Sequence, residues 1–555
     1  MTKIIEKKDF KVLLLYPNLS MLFSPPLSMA IFTAILKKAG YIVDIFDVTP
    51  YVGEGATAVA ESNAVGDEMN TVRANLENEE VTFQVKSTEE YMQEMLQSRP
   101  FSFEDDLGVE SKQNLYQDFV KKVEEFDPNF ILCSVVEDTF LQAVKLLSLI
   151  QNKNIPTLTG GVFTTAAPEL ALSYPGIDMV SVGEGENIIT NVAECIRLNK
   201  SCDEVKGVWL KKDGKIFKNK RDALVDFRLI VPDYSLFDEY RFYRQMGGKN
   251  FKSVPIESYR GCPYTCAYCN SPMQNTLAKE DGLGQFVRRY QFKAFRDYIK
   301  AVIDQTNPTY FMFTDDSFLA RPKKEIYEFC EMYSEFKIPF WFNTRPENVT
   351  PEILKMIKEV GCHRMSFGLE CGNEDFRAKV LLRKMKNSTL IEKFHIIADG
   401  GIPYSMNNII GFPGETRDLI FETIELNRQI PAYDALTASV FVPYNGTVLR
   451  DLAVEKGYID KDLIVCDMHH STLNMPQLPT EELDGLLKTF PLYVHFDKSV
   501  WKDIKRAEKN DAIGSKIFND LKERYQEEAF ALDQDEKMAL YKKSDNYAFQ
   551  NGLVS

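Results

Sequence analysis

Short apolar runs alternate with longer amphipathic stretches along most of this chain. Lys11-Val12-Leu13-Leu14-Leu15-Tyr16-Pro17 reads as a buried parallel strand closed by a turn signal. A proline-rich loop, Ser24-Pro25-Pro26, then leads into Leu27–Ala39, apolar at helical spacing and stopped by Gly40. Tyr41–Asp47 is the second strand. The rhythm returns with a strand at Asn129–Val135, a helix around Thr139–Gln151 and a strand at Pro156–Gly161. Met179–Glu186 then leads into a helix reaching about Asn199. Alternation in this order predicts an α/β fold with a doubly wound, Rossmann-like parallel sheet. Ligands of such sheets lie beyond the carboxyl ends of the strands, where Ser134, Gly160, Gly161, Gly183 and Glu184 fall. Glycine there lets a backbone approach a bulky ligand closely.

Between 51 and 125 the pattern weakens, and 17 Asp and Glu face 6 Lys and Arg, which predicts a solvated helical insertion. The stretch 205–250, with short β-like pieces at Gly207–Leu210 and Lys215–Phe217, reads as a linker. From Val254 the alternation resumes at Val254–Gly261, Tyr310–Phe318, Ile338–Arg345, His363–Glu370, Ser405–Gly411 and Ala438–Tyr444. Six β/α units predict a partial barrel, whose functional residues belong at the carboxyl ends of its strands. Residues 451–555 turn helical and charged, with a helix start at Leu478-Pro479-Thr480-Glu481-Glu482 and Thr480 as its expected cap. The division is thus 1–204, a linker over 205–250, a barrel over 251–450 and a helical region over 451–555.

With 555 residues the chain has room for several cores. Its 44% hydrophobic and 26% charged residues are those of a globular protein. A net charge of -15 argues against nucleic acid as the main partner. No apolar run approaches a transmembrane segment, and Met1–Lys8 lacks the apolar core of a signal peptide. The 10 cysteines are scattered apart from one trio, which disfavours a disulfide framework and fits a reducing cytoplasmic setting.

That trio is Cys262, Cys266 and Cys269, in Glu257-Ser258-Tyr259-Arg260-Gly261-Cys262-Pro263-Tyr264-Thr265-Cys266-Ala267-Tyr268-Cys269-Asn270. The spacing suits a loop around an iron–sulfur cubane, and three thiolates for four irons leave one iron open to a ligand. A zinc knuckle is the alternative. Zinc would want a fourth Cys or His nearby, yet the next Cys is Cys330 and the first His is His363. Cys466, His469 and His470 form a second loose group, read as structural or substrate-facing rather than metal-binding.

CxxxCxxC with an aromatic residue, Tyr268, before the last Cys resembles the signature of the radical SAM superfamily. The resemblance implies a [4Fe-4S] cluster on the three cysteines, S-adenosylmethionine (SAM) on the open iron and reductive cleavage to a 5′-deoxyadenosyl radical. It assigns Tyr268, Asp315, Ser366, Glu370, Asn407, Ile410, Gly411 and Pro443 to the SAM pocket. The N-terminal half is similar to the cobalamin-binding domains that precede many such enzymes. Pro25-Pro26-Leu27, Gly160-Gly161 with Pro168-Glu169, and Gly183-Glu184-Gly185-Glu186 carry that likeness. It departs from the Asp-x-His-x-x-Gly pattern of that family: no His precedes His363, so any cobalamin would sit without a His ligand from this domain.

The two likenesses together imply a cobalamin-dependent methyltransferase. Its substrate would be a small or lipid-like molecule methylated at an unactivated carbon, with a flavodoxin or ferredoxin as electron donor. Within the same class the alternative is a non-methylating rearrangement or cyclisation, with the N-terminal domain empty or holding cobalamin for another purpose. A non-catalytic cluster or corrinoid carrier is the reading from another class. Three cysteines rather than four, and a barrel's worth of strands, argue against it. Thiolation of RNA or protein would call for a basic terminal module, which is absent from the sequence.

Overall fold

The computed structural model describes residues 4–18, 24–51, 109–212, 214–227, 230–246, 249–466 and 470–530. Most of the acidic insertion expected over 51–125 therefore lies outside the described residues. Its end, Leu115–Phe126, is an amphipathic helix burying Leu115, Phe119 and Val123.

The first sheet is built on β1 (Lys11–Tyr16), β2 (Ile42–Asp47), β3 (Phe130–Ser134), β4 (Thr157–Gly160) and β5 (Met179–Ser181). All five run parallel, in the order β2-β1-β3-β4-β5. The period-2 pleat of β1 divides its apolar run between two cores. Val12 and Leu14 enter a core that continues into the second half of the molecule, and Leu13 and Leu15 enter a separate one under the helix Glu137–Ser148. All four side chains are fully buried, each contributing about 1.5–3 kcal/mol of transfer free energy. The helix Leu27–Lys38 ends before Gly40, whose φ of 91° turns the chain back into β2.

The stretch read as a linker carries strands. β6 (Val208–Lys212) and β7 (Lys215–Lys218) extend the first sheet from β5 as an antiparallel hairpin. β8 (Tyr243–Met246) pairs antiparallel with β9 (Lys249–Ile256) and forms the edge of the next sheet.

After β9 comes a two-stranded ribbon of β10 (Tyr259–Arg260) and β11 (Arg288–Arg289). The sheet then grows through β12 (Tyr310–Phe313), β13 (Phe340–Thr344), β14 (Cys362–Glu370), β15 (Tyr404–Ile410) and β16 (Ala435–Val440). These five and β9 are parallel neighbours in chain order, with β8 at one edge and β16 at the other, the arrangement of an open six-unit β/α barrel. Two strands stop earlier than their sequences suggest. β12 ends before the acids at 315 and 316, and β16 spans 435–440, leaving Pro443 and Tyr444 in the turn beyond it. A proline offers no N–H to a ladder, so pairing stops short of it.

Aromatic rings fill the space between sheet and helices around Phe313, Phe329, Tyr333 and Phe340, all fully buried. The helix Thr480–His495 packs on β16 at the open edge of this sheet. Thr480 is its first residue and makes no capping hydrogen bond; Pro479 holds the N-cap position. That corrects the expected cap.

Candidate active site

β9 delivers the chain to the cysteine loop at the carboxyl edge of the barrel. Gly261 has a φ of 89°, and a Cβ there would lie 2.9 Å from the Phe286 ring, so the entry turn requires glycine. Cys262, Cys266 and Cys269 are half-buried and free of disulfides. The loop is tied down through its backbone: Ala267 donates to the Leu381 carbonyl at 3.2 Å and accepts from Leu449 at 3.0 Å. Asn275 Nδ2 donates to the Cys262 carbonyl at 2.8 Å. Burial pushes the Cys262 thiol up to about 11 and the Cys269 thiol up to about 12. Arg345, at the end of β13, aims Nη1 at Cys266 Sγ from 3.6 Å and lies over the Tyr264 ring at 3.9 Å.

Tyr268 joins three of the elements assigned to one pocket. Its hydroxyl donates to Glu370 Oε1 at 3.2 Å and accepts from Arg383 Nη1 at 3.0 Å, while its ring lies 5.8 Å from that of Phe412. Glu370 ends β14 at a bulge with φ 70°, a left-handed conformation that a non-glycine residue adopts only under constraint. Its carboxylate pairs with Arg383 at 3.0 Å, and Arg383 also donates to the Gly368 carbonyl at 2.8 Å. Burial raises the Glu370 carboxyl, and the adjacent guanidinium opposes that rise.

On the neighbouring strands, Ser366 Oγ accepts from Ser405 at 2.9 Å and from Asn407 Nδ2 at 2.8 Å, and Thr437 donates to Asn407 Oδ1 at 2.8 Å. Beyond Ile410, Gly411 turns with φ 84° and, with Phe412, donates its amide to Glu415 Oε2 at 2.6 and 3.1 Å respectively. A Cβ on Gly411 would meet Leu483 at 2.5 Å. Pro443 gives its carbonyl to Arg450 at 2.7 Å.

Asp315 stands apart from its expected role. It is buried with its oxygens taken up by the Ser258 amide at 2.7 Å, the Ser258 hydroxyl at 2.5 Å, the Tyr259 amide at 3.2 Å and Arg321 at 2.6 Å. The carboxylate therefore anchors the turn leading to the cysteines. Its neighbour Asp316 accepts from Ser271 at 2.8 Å, two residues after Cys269.

A second cavity, of about 330 Å³, opens at the carboxyl edge of the first sheet and faces the barrel. Ser134, Gly160, Gly161, Gly183 and Glu184 all line it, together with Leu27, Ile31, Phe32, Leu132 and Ile189. Gly161 is obligatory: at φ 130° its Cβ would lie 2.0 Å from the Val135 carbonyl oxygen. The far wall belongs to the barrel and escaped the sequence reading: Glu257, Arg260, Gln274 and Phe286. Arg260 Nη1 donates to Glu184 at 2.9 Å and to Glu186 at 2.7 Å, and its Nη2 pairs with Glu257 at 2.9 Å. Arg288 also pairs with Glu184. The cue in the sequence was the Arg beside the cysteine motif and the Glu-Gly-Glu of the first half, whose pairing only the fold reveals. Arg345 and Arg383 were likewise missed.

Among the described residues no three His, Cys, Asp or Glu side chains gather tightly enough to hold a single metal ion. Of the Cys466, His469 and His470 group, His469 lies outside the described residues. No described helix is long and apolar enough to cross a membrane.

Residues 256–426 match the model of the radical SAM superfamily, and residues 90–193 match that of the B12 binding domain. An uncharacterized methyltransferase of Pyrococcus horikoshii is 24% identical over 352 residues, covering 61% of this chain and 72% of that one. The anaerobic magnesium-protoporphyrin IX monomethyl ester cyclase of Rubrivivax gelatinosus is 25% identical over 351 residues, 59% of each chain. Among solved structures, the radical SAM methyltransferase TsrM of Kitasatospora setae, with cobalamin and a [4Fe-4S] cluster bound, superposes with a TM-score of 0.54 at 14% identity. That match covers 88% of this chain and 82% of that one. The cobalamin-dependent radical enzyme OxsB gives a TM-score of 0.58 at 14% identity, over 98% of this chain and 76% of that one. With its cysteine loop at the mouth of a six-unit barrel and its glycine-lined sheet in front, the chain carries a radical SAM domain over residues 256–426 and a B12 binding domain over residues 90–193.

Proposed function

We propose that this enzyme carries a [4Fe-4S] cluster on Cys262, Cys266 and Cys269, binds SAM at the remaining iron and cobalamin in the glycine-lined cavity, and methylates an unactivated carbon of a small or lipid-like substrate. The observation that carries this reading is adjacency. Glu257 and Arg260 form the far wall of the cavity, and Arg260 lies two residues before the first cysteine of the loop.

The residues present fit both groups. The three cysteines are free of disulfides and half-buried in one loop, as suits thiolates offered to the irons of a cluster. The cavity offers an apolar floor, glycines that admit a large ligand close to backbone, and the Ser28, Ser134 and Ser181 hydroxyls for polar edges. Among the described residues its lining contains no His, Cys or Met, so this wall would offer cobalt neither an imidazole nor a sulfur ligand. When bound, these groups supply reductive cleavage of SAM and passage of its methyl group through cobalt.

The chain's own part is positioning. Tyr268, Glu370 and Arg383 form a buried, mutually paired set beside the loop, with Ser366 and Asn407 as the polar rim of the adjacent strands. Ile410, Gly411 and Pro443 supply backbone at the ends of the last two strands, suited to a nucleoside lying against them. The single electron comes from a donor of flavodoxin or ferredoxin type.

The cyclases among the relatives favour a second reading, in which the radical closes a ring and no methyl group moves. Reconstituted protein incubated with SAM carrying a deuterated methyl group separates the two. Methyl transfer predicts S-adenosylhomocysteine alongside 5′-deoxyadenosine, and label recovered in the protein-bound corrinoid. 5′-Deoxyadenosine alone, with no label on the corrinoid, would contradict it.

A further inference from the structure

Two polar chains tie the first half to the two flanks of the cysteine loop, one from the wall of the glycine-lined cavity and one from Glu137, three residues beyond the cavity residue Ser134. On the leading flank, Arg260 is largely buried and joins Glu184 and Glu186 of the first half to Glu257 of the barrel. Three carboxylates converge on one guanidinium, and Arg288 pairs with Glu184 from the partner strand of the ribbon. On the trailing flank, Asn270, the residue after Cys269, donates Nδ2 to the Asn445 carbonyl at 2.8 Å. Asn445 in turn donates its amide N–H and its Nδ2 to the two oxygens of Glu137, both at 2.8 Å. Glu137 is 3% exposed, lies three residues beyond the cavity residue Ser134, and is further held by the Val465 amide at 3.1 Å and by Arg450 at 3.5 Å. Beside it, the Tyr444 hydroxyl donates to Asp138 at 2.9 Å.

We propose that these chains are latches holding the cysteine loop in register with the cavity, with Arg260 and Asn270 as positioning residues; this rests on the reading of the cavity as the cobalamin site. The two halves share a continuous apolar core, and apolar contact is non-directional. Charge-assisted hydrogen bonds are short and directional, so they fix the offset that the apolar surface leaves free. Fixing it matters because a displacement of about 1 Å between reacting groups can cost roughly a hundredfold in rate. Placing one latch at each end of the loop prevents rotation as well as sliding.

The test is pulsed EPR on the full chain reconstituted with iron, sulfide and hydroxocobalamin, reduced to give paramagnetic cobalt and cluster together. The dipolar coupling between the two spins reports their separation. Wild type should give one well-defined coupling. Asn270→Ala should retain wild-type iron and cobalt yet show a shifted or broadened coupling and a lower ratio of S-adenosylhomocysteine to 5′-deoxyadenosine, and Arg260→Gln, in the cavity wall, should show the same shift in the fraction that holds cobalt. Arg260→Lys should restore the coupling in part. Should Arg260→Gln fail to fold, Asn270→Ala, which removes one side-chain link and leaves no buried charge unpaired, decides the matter. An unchanged coupling in Asn270→Ala at full metal content would overturn the proposal. Wild-type protein that holds iron but no cobalt would instead overturn the cobalamin reading beneath it, and metal analysis before EPR tells the two failures apart.

Discussion

At the carboxyl edge of the first sheet this chain places glycines and hydroxyls around a cavity, with ion pairs only where that edge meets the barrel, whereas at the same edge of the second it places buried ion pairs beside the cysteine loop itself. The first edge makes room: Gly160, Gly161 and Gly183 leave backbone bare around a cavity floored by Leu27, Ile31 and Leu132. The second makes a fixed field, with Glu370 held by Arg383 at 3.0 Å and both tied to the Tyr268 hydroxyl. A large, rigid, preformed cofactor is met by shape and close backbone approach. A small, flexible co-substrate is met by charges whose positions are set in advance, since preorganised dipoles need no rearrangement during reaction. The same α/β layering serves both because function lies in the strand ends rather than in the sheet.

The contrast breaks most completely at the cysteines. Cys262→Ala, Cys266→Ala or Cys269→Ala should each abolish SAM cleavage and lose the cluster, read as iron per chain, while cobalt retention by the first half persists. Loss of cobalt along with iron would show that the two edges are not separable. Next in size, Arg383→Gln leaves the Glu370 carboxylate buried without its cation, a change that costs about 3–5 kcal/mol. It should lower the thermal midpoint and weaken SAM binding, measured by equilibrium dialysis, with iron retained.

Gly161→Ala tests the other edge. The left-handed φ alone costs about 1–3 kcal/mol, and the Cβ meets a carbonyl oxygen. Cobalt content should fall while iron and SAM cleavage stay. The smallest effect concerns Glu415, whose carboxyl burial raises from 4.5 to about 8. The folded state then keeps a proton that the unfolded chain releases, so this group's contribution to stability declines as pH rises from about 4.5 to about 8. Glu415→Gln should flatten that decline, seen by comparing denaturant midpoints of the two proteins at both ends of the window.

Much of this was legible in the chain itself, for identifiable reasons. β1, β3 and β12 are short apolar runs buried on both faces, and such runs announce themselves. The cysteine loop was legible because its three thiols fall within one short run, 262–269. What escaped depends on residues brought together from afar. Asn445 meets Glu137 across 308 positions, and Arg260 meets Glu184 across 76, so neither pairing has a local signature. Asp315 looked like a pocket carboxylate because its exposure cannot be read from its type. The β6–β7 hairpin reads as a linker because every residue of β7 is exposed and only the short alternation of Val208 and Leu210 in β6 marks a buried face. Glu370 was picked for its place at a strand end, but its strained backbone and its tie to Arg383 became visible only in three dimensions.

The proposed function requires two cofactor sites side by side, one on each sheet. Anaerobic reconstitution with iron, sulfide and hydroxocobalamin, followed by desalting, metal analysis and an absorbance spectrum, tests it most directly. The account predicts iron near four per chain, as a cubane requires, together with retained cobalt in a spectrum showing no His ligand from the protein. Full iron with no cobalt after desalting would contradict it, and the glycine-lined cavity would then need another occupant.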